Sequence, residues 1–118
     1  MDEERRDFER LSILGNLTGE IMVYEPMTIR EIGIGGVVIE TAYSLHLDSL
    51  HDLRLTLGDR SVILKGRVVY SRVEDMDQES VIYRSGMEFV EASDRVQAAI
   101  AEYIAELKTH RAAPERLT

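Results

Sequence analysis

The stretch LRLTLGDRSVILKGRVVYSRV, residues 53–73, constrains the chain more than any other. Apolar and polar residues alternate from Leu53 to Leu57, Gly58-Asp59 supplies a two-residue turn, and a second strand-like arm follows. Period-two alternation on either side of a glycine-containing turn is the pattern of an antiparallel hairpin. On the second arm Val62, Leu64, Val68 and Tyr70 are expected on one face, with Gly66 marking a bend or close packing. Lys65, Arg67 and Ser71 are expected on the other.

Further strands surround this hairpin in sequence. SVIYRSGMEFVE, from Ser80, puts Val81, Tyr83, Met87 and Phe89 on one face and Arg84 and Glu88 on the other. GEIMVYEP and MTIREI flank Pro26, and GVVIET follows, giving three more β-rich runs. The acidic VEDMDQES, residues 73–80, reads as an exposed loop. Only the C-terminal part is helical: Ser93 can cap, Asp94 suits the first turn, and Val96, Ala99, Ile100, Tyr103, Ile104 and Leu107 recur at helical spacing. That stripe is expected to pack on the sheet. After Lys108, THRAAPERLT carries Pro114 and no periodicity, and is expected to fray.

The 118 residues suit one domain. The expected organisation is a flexible charged arm over 1–10, a small antiparallel barrel with its helix over 11–108, and a tail over 109–118. With no cysteine there is no disulfide or thiolate metal site, which suits a reducing cytoplasm. Uncharged stretches such as Ile32 to Ile39 are too short to span a bilayer, so a soluble cytoplasmic protein is expected, without membrane insertion. A formal charge of −8, from 22 acids against 14 bases, argues against a sequence-independent grip on a nucleic acid polymer. Five tyrosines, two phenylalanines and no tryptophan also leave few stacking platforms for single strands. A small dianion needs only a local fork of arginines and remains open.

Chemistry is sparse. EIGIGG, Glu31 to Gly36, suggests a phosphate loop, yet a strand follows it where the phosphate-binding loops need a helix N-terminus. His46 and His51 in HLDSLHD are five apart, which fits neither helical nor strand ligand spacing, so a polar loop anchored by leucines is expected and no metal site. No serine or threonine is placed with a base in a nucleophilic arrangement, so no enzyme is expected. What remains is Arg5, Arg6 and Arg10, with the glycine segment and its Glu31. Arg6 and Arg10 stand at i and i+4, so a helical turn or a wrapping loop would aim both at one anion; the competing reading is ion pairing with Glu3, Asp7 and Glu9.

These residues resemble a known family. RRDFER, Arg5 to Arg10, is similar to the RxxxR motif that opens PilZ domains; EIGIGG falls where that family carries [D/N]xSxxG; GRVVYS and GMEF resemble its later strands. The resemblance runs from residue 5 to about 107. It implies a six-stranded antiparallel PilZ-like β-barrel with one C-terminal α-helix. It also implies non-catalytic binding of cyclic di-GMP, with no further cofactor, and signalling to an unidentified protein partner in bacterial motility, secretion or biofilm formation. Carried over by position, Arg6 and Arg10 match the arginine pair, Arg5 the extra arginine, and Gly36 the closing glycine. Glu31 stands where the family has Asp or Asn, and Gly33 where it has Ser. One lost hydrogen bond, about 0.5–1.5 kcal/mol, implies roughly three- to tenfold weaker binding. The alternative is a degenerate PilZ domain that has given up the nucleotide and serves as a protein-interaction module, as monomer or homodimer.

Overall fold

The structure, a computed structural model, describes residues 9–14, 17–21, 25–77 and 79–117, with the side chains of residue 20 and of residues 111–117 outside the description. The hairpin expected around Gly58-Asp59 is present: β5 (Leu50–Leu57) and β6 (Arg60–Met76) pair from Leu57 opposite Arg60 to Leu50 opposite Arg67. Gly58 has φ of 69°, the positive value that a two-residue hairpin loop asks of its first central residue and that glycine adopts without steric cost.

β6 turns into β7 (Val81–Val90), and the loop expected over 73–80 contracts to residues 77–80. Val73, Asp75 and Met76 pair instead with Tyr83, Ile82 and Val81. The turn is closed locally, because Asp77 Oδ1 accepts from the backbone N–H groups of Glu79 and Ser80 at 2.9 and 2.8 Å.

β7 then pairs with β4 (Gly36–Thr41), β4 with β3 (Glu25–Gly33), β3 with β2 (Thr18–Ile21), and β2 returns to β5. Six antiparallel strands thus close a ring, as expected. A further strand, β1 (Arg10–Ser12), lies end to end with β2 along one edge of β3. It takes Arg10 out of the arm and into the sheet. Ile21, Ile29, Ile32, Val37, Ile39, Leu53, Leu55 and Val68 fill the interior, all fully buried. Each such side chain contributes about 1.5–3 kcal/mol of transfer free energy.

Register shifts decide which side chains leave that interior, one in β3 and two in β6. In β3 the register shifts between Ile29 and Glu31, so Ile29 and Ile32 both point inward and Glu31 points out. In β6 it shifts between Val68 and Tyr70. The expectation that Tyr70 shares the inner face with Val68, and Ser71 the outer, is therefore reversed. Ser71 Oγ accepts from the hydroxyl of the fully buried Ser85 at 2.8 Å and from the backbone N–H of Leu45 at 3.1 Å, while Tyr70 lies outside. One inserted residue moves the side chains that follow it to the opposite face, here as far as the next shift, between Val73 and Asp75.

The helix α1 (Asp94–Leu117) follows β7 and starts as expected, with Ser93 Oγ accepting from the Val96 N–H at 3.2 Å. Ile100 is fully buried in the barrel core, and Val96, Tyr103, Ile104 and Leu107 pack around it. The helical backbone continues to Leu117, past the end expected near Lys108. Arg, Ala and Glu around Pro114 are good helix formers, and the proline removes one N–H bond without ending the run. Among the described residues no helix is long and apolar enough to cross a membrane.

Two outcomes are expected of this architecture. Ile100→Ala should cost about 2–5 kcal/mol in urea denaturation, the range for a large-to-small change in a packed core. Asp77 is held below its usual carboxyl pKa first by the Glu79 N–H, then by the Ser80 N–H and hydroxyl. A lowered folded-state pKa contributes stability above the unfolded value of 3.8 and loses it as pH falls. Asp77→Ala should therefore melt below wild type at pH 7, and the gap should close near pH ~3 in paired thermal melts.

Candidate functional site

The ring aligns two neighbouring rows of residues on its outer side. Ser12, Glu31, Val38, Gly86 and Tyr70 follow one another across β1, β3, β4, β7 and β6. The neighbouring row carries Glu40, Arg84 and Arg72. Arg84 sits between two carboxylates: its Nη2 donates to Glu31 Oε2 at 3.0 Å, and its Nη1 reaches Glu74 Oε1 at 3.4 Å. Partial burial works against the Arg84 charge, but Glu74 and then Glu31 outweigh it, so its pKa is raised above the usual arginine value. Arg84 is 23% exposed and Glu31 29%, so solvent screens this pair less than a free surface pair.

Tyr70 owes its outer position to the β6 bulge. Its ring lies against Gly86, where a Cβ would meet the ring at 2.8 Å or less, and the Arg72 guanidinium is 5.2 Å from the ring centroid. That separation is within cation–π range.

The candidate residues divide as follows. Arg5 and Arg6 lie outside the described residues. Arg10 is extended in β1, so the helical turn considered for Arg6 and Arg10 does not include it. Arg10 stands opposite Gly33, and its Nε is 3.9 Å from Glu31 Oε1, an ion-pair separation too long for a hydrogen bond. The neighbouring Glu9 pairs with Lys108 of α1 at 3.0 Å. Gly33 is buried, and a Cβ there would run into the Glu9 carbonyl oxygen. Gly36 is buried against β7, where a Cβ would run into the Met87 carbonyl. Both glycines serve close backbone approach, and neither adopts a positive φ.

The HLDSLHD segment is not the leucine-anchored loop expected: its two leucines, Leu47 and Leu50, are exposed, the buried Leu45 precedes it, and Leu50, His51 and Asp52 already belong to β5. Among the described residues no group of three or more histidines or acids is placed to hold a metal ion.

Two concavities are lined by described residues. One groove of about 590 Å³ runs along α1 beside Gly58, and a recess of about 330 Å³ sits between Ile34, Phe89 and Gln97. Neither is lined by Glu31 or Arg84. The charged face is nevertheless the better candidate, because it gathers charged donors and an acceptor while both hollows are lined mainly by apolar surface. Arg72 and Arg84 were not among the residues singled out in the sequence as candidate ligands. Alternation placed Arg84 on the outer face of its strand, but its meeting with Glu31 requires the intervening β4.

No family model and no curated protein matches this sequence. Solved structures do, and they show that a ring of six antiparallel strands with a C-terminal helix is a PilZ-like fold. The chain is similar to the PilZ domain with c-di-GMP of YcgR from Escherichia coli, with a TM-score of 0.73 and 16% identity, covering 96% of this chain and 97% of that one. It is also similar to the Bacillus subtilis inhibitor of motility MotI/DgrA, with a TM-score of 0.71 and 18% identity over 90% of this chain. This chain spans about half of MotI/DgrA, 52% of its length. At these identities the likeness establishes the fold.

Restoring the family's serine should be disruptive here. Gly33→Ser is expected to push Glu9 and Arg10 off β3, seen as faster amide exchange at Arg10–Ser12 with the Tm little changed. Unchanged exchange would show that β1 can shift to accommodate the side chain.

Proposed function

We propose that this protein is a non-catalytic, cytoplasmic cyclic di-GMP receptor that passes the signal to a protein partner in motility, secretion or biofilm formation. The observation that carries the reading is the meeting of the two separated motifs: Arg10, the last arginine of RxxxR, is seated opposite Gly33 with its guanidinium beside Glu31. Phosphates would be gripped by Arg10 together with Arg5 and Arg6, and a guanine edge by the Glu31 carboxylate. The PilZ fold supports the reading, since the YcgR domain was solved with this ligand and MotI/DgrA is named as an inhibitor of motility.

The degenerate alternative has its own support. Gly33 offers no hydroxyl, its Cβ position is closed by Glu9, and Glu31 is already engaged by Arg84. Under that reading the outer face is a protein-binding surface with no nucleotide.

Titration calorimetry separates the two. Cyclic di-GMP is expected to bind wild type, and Arg10→Ala to weaken binding about 10- to 100-fold, the value of a charge-assisted hydrogen bond of about 1.5–3 kcal/mol. Absence of heat at several hundred micromolar nucleotide, or equal affinity of the two proteins, would sink the receptor reading. Glu31→Asp, which leaves β1 seated, is the cleaner reversion than Gly33→Ser. Binding gained only in that variant would favour the degenerate domain.

A further inference from the structure

We infer that Arg84 is a positioning residue of the outer-face site: it aims the Glu31 carboxylate so that its free oxygen reads the paired N–H donors of a guanine base. The inference rests on the receptor reading above and adds a residue and a selectivity to it.

A glutamate side chain has three rotatable bonds, and its carboxylate recognises a planar edge only when its orientation is fixed. Here the fixing group is identifiable. Arg84 Nη2 holds Oε2 at 3.0 Å, and Arg84 is itself tethered through Nη1 to Glu74 Oε1 at 3.4 Å. Arg84 stands opposite Glu40 of β4 and Arg72 of β6, so its backbone is fixed on both sides by ladder pairing. The carboxylate's other oxygen, Oε1, has Arg10 Nε 3.9 Å away, beyond hydrogen-bond range. One oxygen is therefore occupied by the sheet and the other is directed toward the arm, where a ligand gripped by the arginine motif would lie.

The chemistry of that free oxygen is selective. Guanine presents N1–H and the exocyclic N2–H₂ side by side, both donors to a carboxylate acceptor. Adenine presents an N1 lone pair beside its N6–H₂, so a fixed carboxylate meets one donor and one repelling acceptor. Discrimination needs the carboxylate to stay in place, since an untethered Glu31 would turn to keep the single favourable contact. Arg84 thus acts through Glu31, and its removal should cost selectivity as well as affinity.

The test compares cyclic di-GMP with cyclic di-AMP by calorimetry on wild type, Arg84→Met and Arg84→Lys, with far-UV circular dichroism to verify folding. Wild type should favour the guanine nucleotide by about 100-fold or more, two well-made hydrogen bonds to a charged acceptor. Arg84→Met should weaken cyclic di-GMP about tenfold and bring the ratio below about 10, and Arg84→Lys should recover part of both. Equal loss for both nucleotides, with the ratio kept, would mean that Arg84 serves only as a general cation and would overturn the inference. An unaltered Arg84→Met does the same. A wild type that takes neither nucleotide removes the receptor reading and this inference together, whereas a binding wild type whose ratio ignores Arg84 removes only the inference.

Discussion

The structure depends on β3, the strand whose two edges carry three partners. One edge pairs with β2 and then β1, and the other pairs with β4, which closes the ring. The sequence MTIREI poses a conflict there, because Ile29 and Ile32 are three apart and a regular strand would bury one, expose the other, and turn Glu31 into the core. The bulge after Ile29 resolves it by burying both isoleucines and expelling the carboxylate. A disrupted ladder bond costs about 0.5–1.5 kcal/mol, while an ion left in the interior costs several. The bulge is the cheaper outcome, and it places Glu31 on the outer side of the ring.

Charge follows the same local logic. A formal charge of −8 sets a field unfavourable to polyanions, yet screening over roughly 8–10 Å leaves a small ligand to respond to its immediate neighbours. On the outer face those neighbours are Arg10, Arg72 and Arg84 against Glu31 and Glu74. A half-buried arginine between two carboxylates gains little net stability, since desolvation offsets the attraction. What such an arrangement provides is orientation.

The arm is attached lightly. β1 contributes a three-residue ladder, and the Glu9–Lys108 pair is exposed and so worth about 0–1 kcal/mol. Gly33 makes this contact possible, since its missing Cβ admits the Glu9 carbonyl. The Glu9–Lys108 pair also links this segment to the helix.

The sequence by itself determined the strands that alternate, the Gly58 hairpin, the Ser93 cap and the helix stripe from Val96 to Leu107 around a buried Ile100, because each rests on neighbours within a few residues. It also carried the two motifs that resemble the PilZ domain, although not whether they meet. Only the tertiary structure decided the bulges, and with them that Tyr70 faces out, Ser71 faces in and Glu31 leaves the core. It placed Arg10 in a strand, gave Gly33 and Gly36 the task of close approach in place of turning, and set Arg84 beside a glutamate 53 residues away. The physical reason is that a bulge is chosen by the register of partner strands, and contacts across an intervening strand exist only after the ring has closed.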